Sequence, residues 1–247
     1  MQNPLTRKLE LFGPLPGEDR QLLDKAVANR RVLRAKTNII QEGDAPSDVR
    51  VVVSGLACRY KLLPDGSRQI FAYLLPGDFC DLHIFILKEM DHGIETLSPC
   101  EIADVPRSRI LEMTQRPELS RALWWATLVD EATLREWLCN LGQRDAFHRI
   151  AHLFCELHAR TKAIGLVSPD GALPLPITQT ELADTVGLTN VHVNRALQEL
   201  RATNLIEFRS GVLTIHNVDQ LRDMSDFNSN YLHLEDGKRD NSAPLLK

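Results

Sequence analysis

The pattern of apolar residues in this 247-residue chain changes once, near residue 117, and this change limits the folds that the chain can adopt. From about Val32 to Pro106, short β-prone runs alternate with turn signals such as Glu42-Gly43-Asp44 and Pro76-Gly77-Asp78. Short strands at this spacing predict a compact all-β roll. A short amphipathic helix is predicted before it, over about Gly17 to Ala28.

Pro117 begins a stretch of about 25 residues that contains no glycine and no further proline, and proline is favoured at the first position of a helix. One stripe of this predicted helix alternates by four and three positions: Leu123, Thr127, Asp130, Leu134, Trp137 and Leu141. Such a single stripe is typical of a helix that pairs with its own copy in a homodimer. The alternative is that the stripe packs on the β-roll of the same chain. Gly142 is predicted to end the helix.

The window from Gln179 to Leu200 predicts two helices joined by a tight turn. Ala183 is the small residue where the helices touch, Gly187 supplies the left-handed turn, and Thr189 caps the second helix. The apolar positions that would face inward are Leu182, Val186, Leu188, Val193, Ala196 and Leu197. After these helices, two β-prone runs flank Ser210-Gly211 and predict a hairpin, which would form a wing.

The remaining positions of the second helix must face outward: Thr189, Asn190, Val191, His192, Asn194, Arg195 and Gln198. Most polar faces of surface helices carry several Glu and Lys residues, but between Asn190 and Gln198 only Arg195 carries a full charge. Amide side chains can bond adenine, arginine can bond guanine, and valine can contact a thymine methyl group. The window therefore favours the binding of double-stranded DNA over a plain helical hairpin.

Composition excludes several other classes of protein. The chain has 29 Lys and Arg against 33 Asp and Glu, a net charge of -4, so DNA contact must be concentrated in one element. The five cysteines include no Cys-x-x-Cys pair, which argues against a disulfide framework or a zinc site. No window is long and apolar enough to span a membrane, and a cytoplasmic protein is expected. No catalytic motif supports an enzyme, and His148, His152 and His158 are interpreted as parts of helix faces.

The order of these elements, together with Glu42-Gly43-Asp44, Ser54-Gly55 and Pro76-Gly77-Asp78, resembles the Crp/Fnr family of bacterial transcription regulators. The resemblance implies an α+β fold with a cyclic-nucleotide-binding-like β-roll, a long dimerisation helix and a winged helix-turn-helix. It implies a homodimer that binds DNA and contacts RNA polymerase. The predicted domains are a sensory β-roll over 10–116, a dimerisation helix over 117–142, a DNA-binding domain over 143–220 and a C-terminal tail over 221–247, of which the end from about Leu234 is expected to be mobile.

The resemblance also implies a role for each residue of the window. Four residues occupy base-reading positions: Asn190, Val191, Asn194 and Arg195. Five occupy phosphate-contacting positions: Thr178, Gln179, Thr180, Thr189 and His192. Gln198 completes the DNA-binding set as an outward-facing amide of the same helix.

The sequence departs from the family where its cyclic-nucleotide binders hold their ligand. Asp81-Leu82 and Met90-Asp91 stand where a Gly-Glu pair and an Arg-Ser or Arg-Thr pair would bind ribose and phosphate, so cyclic AMP is not expected to bind. The iron-sulfur branch is disfavoured because the first cysteine is Cys58. No resident cofactor is expected, although haem on Cys80 and His83, thiol sensing by Cys80 or Cys100, and a small-molecule effector stay open. The alternative function is a ligand- or haem-sensing module whose helical domain binds a protein partner.

Overall fold

The N-terminal part of the chain is a β-roll of two antiparallel sheets, seen in a computed structural model that describes residues 2–45, 48–82 and 86–234. One sheet has the strand order β1-β7-β3 and the other β2-β6-β4-β5. The strands are β1 (Arg30–Leu33), β2 (Asn38–Ile40), β3 (Asp48–Ser54), β4 (Ala57–Leu62), β5 (Arg68–Leu74), β6 (Gly93–Thr96) and β7 (Cys100–Pro106). Three helices flank the roll: α1 (Pro4–Leu9), α2 (Gly17–Ala26) and α3 (Arg107–Thr114).

A long helix, α4 (Pro117–Gln143), leads from the β-roll to the C-terminal domain. The prediction that Gly142 ends this helix is wrong, because the helix continues through Gly142 and its C-cap is Arg144. The amide of Arg144 still bonds the carbonyl of Asn140, and Asp145 then caps the next helix by accepting from the amide of His148. Only Arg144 and Asp145 therefore separate the two helices.

The C-terminal domain has the predicted winged helix-turn-helix architecture. Its elements are α5 (Ala146–Ala163), β8 (Ala172–Pro174), α6 (Gln179–Val186), α7 (Asn190–Ala202), β9 (Ile206–Arg209), β10 (Val212–Ile215) and α8 (Val218–Met224). The three strands form a sheet of order β8-β10-β9. Ser210 and Gly211 both have positive φ, 50° and 74°, as a two-residue hairpin turn requires. The predicted fold class is therefore confirmed.

The folded domain continues beyond residue 220, where the sequence predicted a tail to begin. Leu221 on α8 is buried, and a short 3-10 helix (Ser229–Leu232) packs on α4 and α5. The prediction of mobility concerns residues that are almost all beyond 234, outside the described part of the chain. Among the residues that the structure describes, no helix has both the length and the apolar character needed to cross a bilayer.

Two hydrophobic cores hold the molecule together. One fills the β-roll and includes the first turns of α4. The other contains side chains from all four helices of the C-terminal domain, α5, α6, α7 and α8. It also contains side chains from β4 and β5, including Tyr73, and Trp137 of α4. Because the second core contains residues of both domains, the C-terminal domain is packed directly on one sheet of the β-roll.

Candidate nucleic-acid interface

The turn between α6 and α7 has the geometry that the sequence predicts. Gly187 caps α6 in the left-handed conformation, with φ 63° and ψ 41°, and its amide donates to the carbonyl of Ala183. Thr189 caps α7, accepting at its hydroxyl from the amide of His192 at 3.4 Å. Arg149 on α5 donates from Nη1 to the carbonyl of Val186 at 3.0 Å, which satisfies an acceptor at the end of α6.

The inner side of the helix pair is apolar, as predicted. Five of the six predicted inner residues are buried and the sixth, Leu188, is partly buried; the five are Leu182, Val186, Val193, Ala196 and Leu197. This burial fixes the rotation of α7 about its own axis. The side chains at the remaining positions of α7 therefore form its outer face.

All ten residues predicted to bind DNA lie on the surface: Thr178, Gln179, Thr180, Thr189, Asn190, Val191, His192, Asn194, Arg195 and Gln198. Val191 is 77% exposed, so its methyl groups are available to a partner. The Arg195 side chain is 71% exposed, and its Nε lies 3.7 Å from Oε1 of Glu199. An extended guanidinium beside an exposed apolar group suits contact with base edges in a major groove.

Two amides of α7 also contact the start of α6, a link that the sequence analysis missed. Asn190 donates from Nδ2 to Thr180 Oγ1, and Asn194 donates from Nδ2 to Gln179 Oε1, each at 3.4 Å. Bonds of this length are weak and exposed, so DNA acceptors can replace them at little cost. They orient the two asparagines before any partner arrives.

The first turn of α6 is built by a reciprocal capping box. The amide of Glu181 donates to Thr178 Oγ1 at 3.2 Å, and the amide of Thr178 donates to Glu181 Oε2 at 2.6 Å. The spacing Thr178-x-x-Glu181 is a known signal for this arrangement, and the sequence analysis did not use it. It fixes the exposed helix start where Gln179 and Thr180 are predicted to contact phosphate.

The wing adds one exposed positive charge. Arg209 ends β9 and is 77% exposed at its side chain, with its Nε 3.2 Å from Glu207 Oε1. Two other arginines of the domain are directed at its own backbone. Arg201 donates to the carbonyl of Phe208, and Arg149 donates to that of Arg144.

The predicted seam of α4 is divided between several environments. Leu123 and Trp137 are buried in their own chain, and Trp137 donates from Nε1 to Glu156 Oε2 at 2.8 Å. Asp130 pairs with Arg59 of β4 at 3.2 Å. Of the other three predicted seam residues, Thr127 and Leu141 are partly buried and Leu134 is exposed. The seam is therefore used largely within the chain, because α4 packs against both domains.

Most of the exposed apolar residues of α4 lie one position after a residue of the predicted seam. Trp124 is 75% exposed, Leu128 57% and Leu138 73%. The intervening positions of the same stripe, Glu131 and Arg135, form an ion pair at 2.7 Å. We call Trp124, Leu128 and Leu138 the α4 apolar face.

A cavity of about 350 Å³ in the β-roll lies between β4, β5 and α4, and charged residues line much of it. Asp81 is buried there and accepts from the amide of Arg50 at 2.7 Å and from its Nη1 at 2.9 Å. Burial raises the pKa of Asp81, although the bonds from Arg50 oppose that change. The guanidinium of Arg59 is occupied by Asp130 and by the carbonyls of Phe79 and Cys80.

The structure gives little support to thiol sensing and leaves the haem alternative untested. Burial raises the pKa of both Cys80 and Cys100 and so disfavours the reactive thiolate. His83, the other predicted haem ligand, lies outside the described residues. Within the described ranges no group of three or more His, Cys, Asp or Glu side chains could hold a metal ion.

Comparison with known proteins relates both halves of the chain to regulators. Residues 148–224 match the family model of a Crp-like helix-turn-helix domain, and residues 30–116 match that of a cyclic nucleotide-binding domain. The chain is 31% identical over 179 residues to the transcriptional activator protein FnrL of Cereibacter sphaeroides, with 71% of each chain covered. It is 30% identical to a probable transcriptional activator of Rhizobium leguminosarum bv. viciae, over 79% of this chain and 80% of that one.

The fold matches a solved relative over most of its length. The structure of FixK2 from Bradyrhizobium japonicum aligns with a TM-score of 0.71 at 27% identity, covering 80% of this chain and 96% of that one. The similarity therefore extends over both domains and the helix that joins them.

Proposed function

Because the chain belongs to the Crp/Fnr family of DNA-binding transcription regulators, we propose that it is a homodimeric activator that reads a two-fold-symmetric operator. The proteins to which it is similar are transcription regulators and not enzymes. Two relatives are named as activators, which supports activation as the sign of regulation and RNA polymerase as a partner.

The observation that carries this proposal is the exposed face of α7. Its rotation is fixed by buried apolar residues, and its outer surface presents Asn190, Val191, Asn194 and Arg195 with one full charge among them. We assign base reading to these four residues and phosphate contact to Thr178, Gln179, Thr180, Thr189 and His192. Gln198 lies further along the same face and extends it.

The homodimer is supported by the α4 apolar face. Trp124, Leu128 and Leu138 are exposed along one side of a long helix, with the Glu131–Arg135 ion pair between the two leucines. Pairing with a copy of the helix would bury these apolar side chains. We propose pairing through these residues, with the predicted seam contributing at Leu134 and Thr127. A two-fold axis along α4 would present two α7 helices to successive major grooves, about 34 Å apart.

We infer that the β-roll cavity does not bind cyclic AMP. A phosphate there would meet the carboxylate of Asp81, and the Arg59 guanidinium is already paired with Asp130. Binding would require a charge-assisted pair to be broken in a partly buried site and would add like-charge repulsion. The sensory domain therefore needs a ligand of another class or none.

We divide the chain into the sensory domain over 10–116, the dimerisation helix over 117–142 and the DNA-binding domain from 143 onward. We extend the last domain from its predicted end at residue 220 to residue 234, because Leu221 and Leu232 are buried in its core.

Selection of bound sites from random duplex DNA tests the proposal. The full-length protein is expected to enrich a two-fold-symmetric sequence, and saturating cyclic AMP is expected to change neither the sequence nor the affinity. Arg195→Ala should weaken operator binding by about 1 to 3 kcal/mol and relax base preference at one position in each half-site. Arg109→Ala is the control, because Arg109 is a partly exposed arginine on α3 that pairs with its neighbour Glu112 and lies outside the predicted DNA-binding set.

Two outcomes would contradict the proposal. If no sequence were enriched, the chain would not be a sequence-specific DNA-binding protein, and the alternative of a protein partner would be favoured. If Arg195→Ala bound operator and scrambled DNA as the parent does, α7 would not be the reading element.

A further inference from the structure

The helix-turn-helix is attached to the sensory domain by side chains that its DNA-binding role does not require. Helix α6 contacts strand β5 of the β-roll as well as α7. The contact is made by Arg68, Gln69 and Tyr73 on β5 and by Asp184 and Thr185 on α6. We call these five residues the β5–α6 junction; none of them belongs to the predicted DNA-binding set.

At the centre of the junction is a buried hydroxyl pair. Tyr73 Oη lies 2.6 Å from Thr185 Oγ1, and the two residues are 0% and 2% exposed. The Thr185 hydroxyl donates its one proton to the carbonyl of Glu181 at 2.7 Å, so Tyr73 must be the donor in the pair. A buried donor needs its acceptor, and this bond therefore specifies where α6 lies on β5.

Charged and amide groups surround the hydroxyl pair. Arg68 bridges the two domains, with Nε 2.8 Å from Asp184 Oδ2 and Nη1 2.9 Å from Glu95 Oε1 in the β-roll. Gln69 donates from Nε2 to the carbonyl of Thr185 at 3.1 Å. Because these bonds join α6 to one strand at two successive residues of α6, Asp184 and Thr185, they restrict the sliding of α6 along β5.

The covalent connection alone does not fix the orientation of the DNA-binding domain. Only Arg144 and Asp145 separate α4 from α5, and both are extended, with ψ of 148° and 175°. Rotation about those two residues would swing α7 relative to the axis of α4. The angle must therefore be set by noncovalent contacts between the domains. Those that reach the helix-turn-helix itself include the junction and an ion pair between Lys36 of the β-roll and Glu181 of α6.

We propose that the β5–α6 junction holds the DNA-binding domain at one angle on the sensory domain and thereby sets the half-site spacing that the dimer accepts. The proposal rests on the proposed function, since spacing has meaning only for a dimer on a two-fold-symmetric operator. Each added base pair moves one half-site by about 3.4 Å and rotates it by about 35°. A rigid pair of α7 helices cannot follow that change, whereas a loosened pair can. Tyr73, Arg68 and Thr185 are thus positioning residues for DNA recognition.

The test is a double variant, Tyr73→Phe with Asp184→Asn, which removes one hydroxyl donor and one charge from the junction. The matched control is Tyr60→Phe with Asp104→Asn. Tyr60 bonds Asn38 at 3.0 Å within the β-roll, and Asp104 pairs with Arg31 at 2.8 Å. The carboxylates are equally exposed, at 21% for Asp184 and 22% for Asp104.

Affinity is measured on the selected operator, on operators with one or two base pairs inserted or removed at the centre, and on a single half-site. The parent and the control are expected to lose at least about tenfold in affinity when two base pairs are added. The junction variant should bind the native spacing about tenfold more weakly than the parent and lose less than about threefold on altered spacing. Binding to the single half-site should be unchanged, because α7 is intact.

The proposal is overturned if the junction variant keeps the spacing preference of the parent. If the parent itself shows no spacing preference, the proposed function is contradicted. The parent therefore tests the proposed function, and the junction variant tests the role of the junction. Thermal unfolding checks that both double variants are folded. If the junction variant is not folded, Gln69→Ala provides the same test with a smaller change, since across the domains it removes the bond to the Thr185 carbonyl and within β5 it removes a bond to the carbonyl of Ile70.

Discussion

A cluster of buried charged side chains around Arg160 links the two domains. The Arg160 guanidinium on α5 lies 3.0 Å from Asp78, 3.2 Å from Glu156 and 2.8 Å from the Tyr73 carbonyl. Burial opposes ionisation of Asp78, but the charges of Lys8 and Arg160 outweigh it and hold the pKa of Asp78 below its usual value. Burial raises the pKa of Glu156, against the influence of Arg160. Removing Arg160 would take a cationic partner from two buried carboxylates at once, so these three side chains are energetically coupled.

The burial of His152 on α5 should make folding stability depend on pH. His152 is 1% exposed, and burial, assisted by the nearby charge of Arg144, lowers its pKa to about 3. Below about pH 6.5 the unfolded chain binds a proton that the folded chain does not, so stability falls as pH falls. At pH 5 the loss should be at most roughly 2 kcal/mol for this residue, because Glu136 Oε1 lies 3.2 Å from His152 Nε2 and would stabilise the protonated ring. Urea unfolding at fixed protein concentration, at about pH 7.5 and pH 5, measures the loss.

Replacement of His152 by Gln should remove this part of the pH dependence, whatever it costs in packing against Phe227 and Tyr231. His148→Gln serves as the control, because His148 is on the same helix but its side chain is 40% exposed. The explanation is wrong if His152→Gln and the parent lose the same stability over this pH range.

At the scale of elements, the sequence predicts what local signals encode. The strands, the capped helices and the hairpin turn at Ser210-Gly211 follow from periodicity and from residues that favour turns. The stripe of α4 shows the limit of this reasoning. A helix that packs on its own chain and also has an exposed side carries two neighbouring stripes, and spacing alone does not say which is covered. Only the folded chain separates buried Trp137 from exposed Leu138.

The proposed pairing of α4 with its copy gives the prediction at this scale. Leu128→Glu with Leu138→Glu should weaken self-association by about a thousandfold or more, because four leucines per dimer would lose their apolar contact. The control is Leu62→Glu with Leu63→Glu, two residues near the β4–β5 turn that are 55% and 49% exposed. Sedimentation velocity over a range of concentrations gives the dissociation constants. A parent that is monomeric, or a variant that dimerises like the parent, would show that these residues do not form the interface.

At the scale of the whole molecule, the arrangement of the domains could not be predicted from one sequence. Tyr73 and Thr185 are 112 residues apart, and Arg68 and Asp184 are 116 apart. A contact at that separation leaves no periodic signal, since each residue has an ordinary local role on its own strand or helix. The sequence predicts a reading helix and a pairing helix, but the angle between them depends on such distant pairs.

The charge of the whole molecule predicts how its DNA binding should respond to salt. Each chain carries a net charge of -4, and the exposed cations of the DNA-binding face are chiefly Arg195 and Arg209. A dimer would then neutralise about four phosphates, giving a slope of about −4 for log affinity against log salt concentration. Arg209→Gln should reduce the slope by about 2 and weaken binding to all sequences alike. A parent slope steeper than about −8, or one that Arg209→Gln leaves unchanged, would mean that other cations reach the DNA and that a different surface faces it.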